Sequence, residues 1–131
     1  DFKKLNADEQ YFIKNILGFF AASDEIVNEN LAKRFLSEVT CHEALRNYRF
    51  QAMMEDKHSE MYVTLIDTIL TNSQEKQHLF NAVNTLPCVG KKAAWAMRWI
   101  NGTTADSSFG KRLIAFAIVE GLFFSGAFCS I

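Results

Sequence analysis

The sequence predicts an all-α protein built as a helical bundle, on three observations. Helix-capping signals follow one another almost without pause, apolar residues recur at helical spacing in most segments, and no segment alternates as a strand would. A single Pro and six Gly in 131 residues leave few turns, and twelve Phe supply a large aromatic core. The length suits one domain and leaves no room for two.

The elements follow in order. Asn6 precedes the run Tyr11, Phe12, Ile16, Leu17, Phe19 and Phe20, and Glu9 completes a capping-box pattern. Ser23 can cap a second helix that carries Ile26, Val27, Leu31, Phe35 and Leu36 and ends near Val39. Thr40 and Glu43 fit another capping box. No Pro or Gly interrupts the run from there to about Thr71, which predicts one helix of roughly 30 residues and about 45 Å. That length is normal for a bundle. Ser73 can cap the next helix, with Leu79, Phe80 and Val83 on one side. Pro87 and Gly90 mark a break before Lys91 to Ile100. The clear loop is Asn101 to Ser108, where Ser107 or Ser108 can cap a final apolar helix.

Composition narrows the function classes. Hydrophobic residues at 49% and charged residues at 22% exclude wholesale disorder. A net charge of -1 offers no basic footprint, so nucleic acid is not an expected partner. Cys41, Cys88 and Cys129 have neither disulfide-framework nor zinc spacing and read as buried thiols of a reducing cytosol, which gives a cytoplasmic expectation. The polar N-terminus shows no signal peptide. Leu113 to Ile131 is nearly all apolar and close to the ~20 residues a membrane span needs. Glu120 interrupts it near the middle, where a carboxylate would be costly in lipid. Because the other segments are amphipathic and charged, the buried central helix of a bundle is the preferred reading, with no membrane partner.

Candidate chemistry lies on the long helix. Glu55 and His58 are three residues apart and Tyr62 four further on, so all three lie along one stripe. Glu-x-x-His on a bundle helix is how ferritin-like carboxylate proteins present an oxygen and a nitrogen ligand to iron or manganese. Taken alone, the pair is better explained as a chance match on an exposed helix face. Three features strengthen it: the position of Tyr62, the buried-ligand character of Glu120, and the apolar rings of Phe124 and Phe128 four and eight residues past Glu120.

The segments FFAASDEIVNENL (Phe19 to Leu31), MEDKHSEMY (Met54 to Tyr62), LIDT (Leu65 to Thr68), NAVNTLPCVGKKAAWAMRWI (Asn81 to Ile100) and VEGLFFSGAF (Val119 to Phe128) resemble the eukaryotic small subunit of class I ribonucleotide reductase. The resemblance runs through nearly the whole chain. It implies that residues 1–131 are the central helices of one ferritin-like helical domain whose flanking parts lie outside this sequence. It also implies two iron ions per chain in an oxo-bridged centre, with manganese the lesser alternative. Glu55 would bridge the irons, His58 would bind the first and Glu120 the second. Tyr62 would bear the radical, and Phe124 and Phe128 would wall its pocket. The implied partners are a second copy and the large catalytic subunit, to which the radical passes for reduction of ribonucleotides. An Asp ligand is expected upstream of the first helix, where Asp1 stands too close to fill the role, and a second Glu-x-x-His is expected beyond Ile131.

Other residues have plainer readings. Glu60, His42 and His78 are expected at the surface, Asp67 in an ion pair or hydrogen bond, and Lys91, Lys92 and Arg98 on a wet face. Trp95 and Trp99 read as a packing pair. Two other functions remain open: a different ferritin-like oxidase, and an inactive piece that acts only in dimerisation.

Overall fold

The structure, a computed structural model, describes residues 2–102 and 108–131; Asp1 and the predicted loop positions 103–107, with the capping candidate Ser107, lie outside the described residues. A short 3-10 turn, Phe2–Lys4, leads into α1 (Ala7–Asn30). Among the described residues there is no strand, as expected of an all-α fold.

Helix α1 opens on the predicted capping box, with the Asn6 side chain and the Glu9 side chain each accepting from the other's backbone N–H. The separate second helix from Ser23 does not form. Instead α1 runs through Ser23, widens into a π-helical turn at Leu31–Phe35 and closes at Leu36–Glu38. The reason is packing: Phe20, Val27, Leu31 and Phe35 are all buried, and an unbroken helix keeps them on one face.

The long helix is α2 (His42–Ile69), 28 residues. Its N-cap is Cys41, not Thr40, and no side chain caps it, so the predicted capping box is absent; the Cys41 thiol donates to the Glu43 carboxylate at 3.2 Å. Next come α3 (Ser73–Phe80) and the short α4 (Ala82–Thr85). Asn72 rather than Ser73 caps α3, accepting from the N–H groups of Gln74 and Glu75. Helix α5 (Pro87–Asn101) begins at Pro87, so Gly90 lies inside it rather than in a break. A Cβ at Gly90 would meet the Val83 carbonyl at 2.6 Å, so the glycine is what lets α4 and α5 touch backbone to backbone.

Ser108 caps α6 (Phe109–Ile118), fulfilling one of the two predicted caps. The predicted single final helix is interrupted by a second π-helical turn, Val119–Phe123, before α7 (Ser125–Ser130). The stretch Phe109–Ser130 is long and apolar enough to cross a membrane by length and composition. Its two charged positions past the first turn, Arg112 and Glu120, turn toward the helices: Arg112 is buried and pairs with Glu38, and Glu120 is half-buried.

Helix α1 is the axis, packed along α2 and against α3 and α5. One apolar cluster joins Phe19, Phe20, Val27, Leu31 and Phe35 to Val89, Ala96, Phe116, Val119 and Phe124. A second joins Leu17 to Ile66, Leu70 and Leu79, and Tyr62 packs against both. Trp95 and Trp99 pack edge to face at 5.9 Å, the expected packing pair. The cysteines were expected to be buried and are not: Cys41, Cys88 and Cys129 are exposed. Each stands at or near a helix end, where its neighbours leave it uncovered.

Candidate metal centre

The centre forms where α1, α2 and the π turn of the last helix meet. Buried apolar residues on either side of Asp24, namely Phe20, Val27 and Leu31, carry its side chain inward at helical spacing. Glu55 and His58 come from successive turns of α2, and Glu120 from the π turn Val119–Phe123.

One ligand atom each from Asp24, Glu55 and His58 lies within 4.8 Å of the others. The His58 Nδ1 is 3.0 Å from the Glu55 Oε2. Asp24 and Glu55 are buried at 4% and 8% exposure, whereas the His58 side chain keeps 48%. Gln51, one turn before Glu55, donates from its amide to the Glu120 Oε1 at 2.9 Å.

The electrostatics are those of acids crowded together in a buried site. Burial, then the nearby charges of Glu55 and Glu120, push the Asp24 carboxyl up to about 7 against a partial offset from His58. Burial and Glu55 likewise push Glu120 up to about 7, although the Gln51 bond favours its charged form. The Asp24 Oδ2 is buried with no hydrogen-bond partner. A buried carboxylate oxygen without a donor is costly, and a bound cation would satisfy it. Two or three carboxylates and one imidazole also form the donor set of a hard or borderline divalent ion. The residues therefore fit a metal.

Tyr62 lies one turn past His58 and its phenol is pushed up to about 12, first by burial and then by the charges of Asp24 and Glu55. Its ring stacks on Phe20 at 5.1 Å. Phe20 in turn contacts Phe128 at 4.8 Å and Phe124 at 6.1 Å. Phe124 is buried, while Phe128 is 61% exposed. A groove of about 600 Å³, lined in part by Leu17, Phe20, Tyr62, Leu65 and Phe128, opens on this side of the ring.

Sequence reasoning missed Asp24. It looked for an aspartate upstream of the first helix, and Asp1 lies outside the described residues. Treating Ser23 as a cap made Asp24 a first-turn acid, a position that needs no further explanation. The signal was present nonetheless, as a carboxylate interrupting the buried stripe Phe20, Val27, Leu31. Phe20 and Gln51 were also missed, and only contact across elements distinguishes them. Glu60, His42 and His78 are exposed as expected, and Asp67 pairs with Lys76 at 2.6 Å. Lys91 and Arg98 are on the wet face, but Lys92 is not: it donates to the Phe123 carbonyl at 2.9 Å.

An all-α bundle that turns carboxylates and an imidazole toward one point falls in the ferritin-like class of helical proteins with a metal centre. Residues 1–131 match the family described as ribonucleotide reductase, small chain. The sequence is 60% identical over 131 residues to the ribonucleoside-diphosphate reductase small chain of Variola virus, covering 100% of this chain and 40% of that protein. Identity to the small chain of Vaccinia virus (strain Copenhagen) is 59% over the same 131 residues, again 40% of that protein. A ribonucleoside-diphosphate reductase small chain of Arabidopsis thaliana is 57% identical over 127 residues, 97% of this chain and 37% of that one. The chain therefore belongs to the ribonucleotide reductase small-chain family, and it spans about two fifths of the length of these relatives.

Proposed function

We propose that these residues are the radical-generating centre of a ribonucleoside-diphosphate reductase small subunit. The protein would store a tyrosyl radical and deliver it to a large catalytic subunit that reduces ribonucleotides to deoxyribonucleotides. The observation that carries the reading is the meeting of Asp24, Glu55 and His58 one turn from a tyrosine stacked among phenylalanines.

In this reading Asp24 and His58 would hold a first iron and Glu120 a second, with Glu55 available to both; manganese is the lesser alternative. Iron bound there, with oxygen, would supply the oxidising power for one-electron oxidation of Tyr62. Everything else falls to the chain's own groups. Burial and the two neighbouring carboxylates raise the Tyr62 phenol further above an ordinary value already well above neutral pH, so it is protonated and its oxidation must release a proton with the electron. Phe20 presents only carbon to the ring and Phe124 backs Phe20, which limits reaction of a radical with water and reductants. Gln51 holds the Glu120 carboxylate on the inner side of its helix.

The proposal extends to assembly: residues 1–131 as the central helices of one longer ferritin-like domain, a homodimer, and a cytoplasmic location without membrane or nucleic acid. The exposed apolar side of the last helix, with Leu113, Ile114, Leu122 and Phe128, is where further helices of such a domain would pack.

The test is anaerobic iron(II) loading followed by oxygen, read by electron paramagnetic resonance. In the longer protein of which residues 1–131 would be the central helices, two irons per chain and a tyrosyl signal are expected, and Tyr62→Phe should keep the iron and lose the signal. A signal that survives in Tyr62→Phe sinks the role of Tyr62. Oxygen consumption with no radical would instead indicate another ferritin-like oxidase, and absence of stoichiometric iron would indicate a dimerisation piece.

A further inference from the structure

We infer that Lys92 is a positioning residue for the metal centre, acting through the π turn that carries Glu120; the inference rests on the metal reading of Glu120 given above. Lys92 belongs to α5, which supplies no candidate ligand. Its ammonium donates to the Phe123 carbonyl at 2.9 Å. It also sits over the Phe19 ring at 4.4 Å from the centroid and near the Phe123 ring at 5.5 Å. One cation thus joins three elements, α1, α5 and the end of the π turn Val119–Phe123.

The physical case begins with the turn itself. A π turn shifts the hydrogen-bond ladder by a residue, so its carbonyls need donors from elsewhere, and it is less stable than α-helix unless its surroundings hold it. Two side chains supply donors here: Ser125 Oγ donates to the Leu122 carbonyl at 2.9 Å, and Lys92 donates to Phe123. The Lys92 bond is charge-assisted and partly buried, with two ring faces adding cation–π attraction. It is therefore the stronger of the two restraints.

The turn has two consequences for the centre. It directs Glu120 inward to Gln51 and the Asp24–Glu55 pair, and it ends at Phe124, which lies 5.5 Å from Phe19 and 6.1 Å from Phe20. Relaxing the turn to regular α-helix would rotate everything before it by roughly a quarter turn relative to everything after it. Phe116 before the turn and Phe124 after it could not then both keep their places in the core, and Glu120 between them would shift from Gln51.

The experiment is a cobalt(II) titration of the full chain, followed by the visible absorption of the bound ion, on Lys92→Met, Lys92→Arg, Glu120→Ala and Lys92→Met/Glu120→Ala. Met keeps the apolar stem and removes the charge and donor; Arg keeps both. Lys92→Met is expected to weaken cobalt(II) binding about tenfold, as loss of a residue that orients a ligand does, and Lys92→Arg to recover most of it. In the Glu120→Ala background the Lys92→Met change should add little, because both act on one ligand. Amide hydrogen exchange should quicken at residues 119–124 and stay unchanged at the C-terminal half of α2. Unaltered cobalt(II) binding in Lys92→Met, or a uniform loss of protection throughout the chain, overturns the inference while leaving Glu120 as a ligand. Unaltered binding in Glu120→Ala overturns both, which separates failure of the metal reading from failure of the positioning role.

Discussion

Asp24 is kept where it is at the expense of the metal-free fold. Its carboxyl is 4% exposed, one oxygen has no donor, and Glu55 and Glu120 both oppose its ionisation. With the folded carboxyl raised from 3.8 to about 7, the folded state holds this proton more tightly than the unfolded state does. The stability this contributes is therefore present below pH 3.8 and is lost as the pH climbs to about 7. Glu120, also raised to about 7, acts in the same direction. Metal-free protein should consequently melt at lower temperature as the pH rises through this window. Asp24→Asn should flatten that dependence and raise the melting temperature near neutrality, while weakening metal binding at least tenfold. Calorimetry between pH 4.5 and 8, paired with metal titration, checks both. A variant destabilised equally at every pH would mean that Asp24 is ordinary packing. Glu120 was legible as a candidate because it is a lone carboxylate in an apolar run. Asp24 was not, because it reads as a first-turn acid after Ser23 and two further acids follow it, the exposed Glu25 and the half-buried Glu29.

At the scale of the element, helix type was readable and helix ends were less so. Asn6 and Asn72 make cap hydrogen bonds, whereas Ser23 lies inside α1 and Ser73 is already helical. Replacing Asn6 or Asn72 with Ala should cost about 1 kcal/mol each, and Ser23→Ala or Ser73→Ala much less, measured by urea unfolding. Equal losses at Asn72 and Ser73 would contradict the assigned cap. A sequence carries several residues that could cap, and the choice among them depends on which carbonyls and amides burial leaves unpaired. The two π turns show the same limit. Leu31–Phe35 and Val119–Phe123 contain no Pro and no distinctive composition beyond Gly121. Each carries a residue that must face inward, Phe35 in one and Glu120 in the other. An extra residue per turn is a way to reset the face of a helix, and only the neighbours determine which face is wanted.

For the whole molecule, the centre draws on segments far apart in the chain, so a bound metal should stabilise the fold as a unit. A single ion at a hundredfold excess over its Kd should add about 2.7 kcal/mol, a shift of about 10 °C in melting temperature, and chelation should reverse it. Asp24→Asn should remove most of that gain. No shift with saturating metal would mean that the cluster does not close on an ion. The all-α class, the long α2, and the stripe of Glu55, His58 and Tyr62 were determined by the sequence alone, because helical periodicity and residue spacing are local properties of the chain. The tertiary structure decided that α1 is unbroken, that Asp24 joins the stripe, that Phe20 covers Tyr62, and that Lys92 leaves the wet face. These follow from contacts between segments distant in sequence, where the burial of one residue depends on which surface another helix covers, and no local pattern encodes that choice.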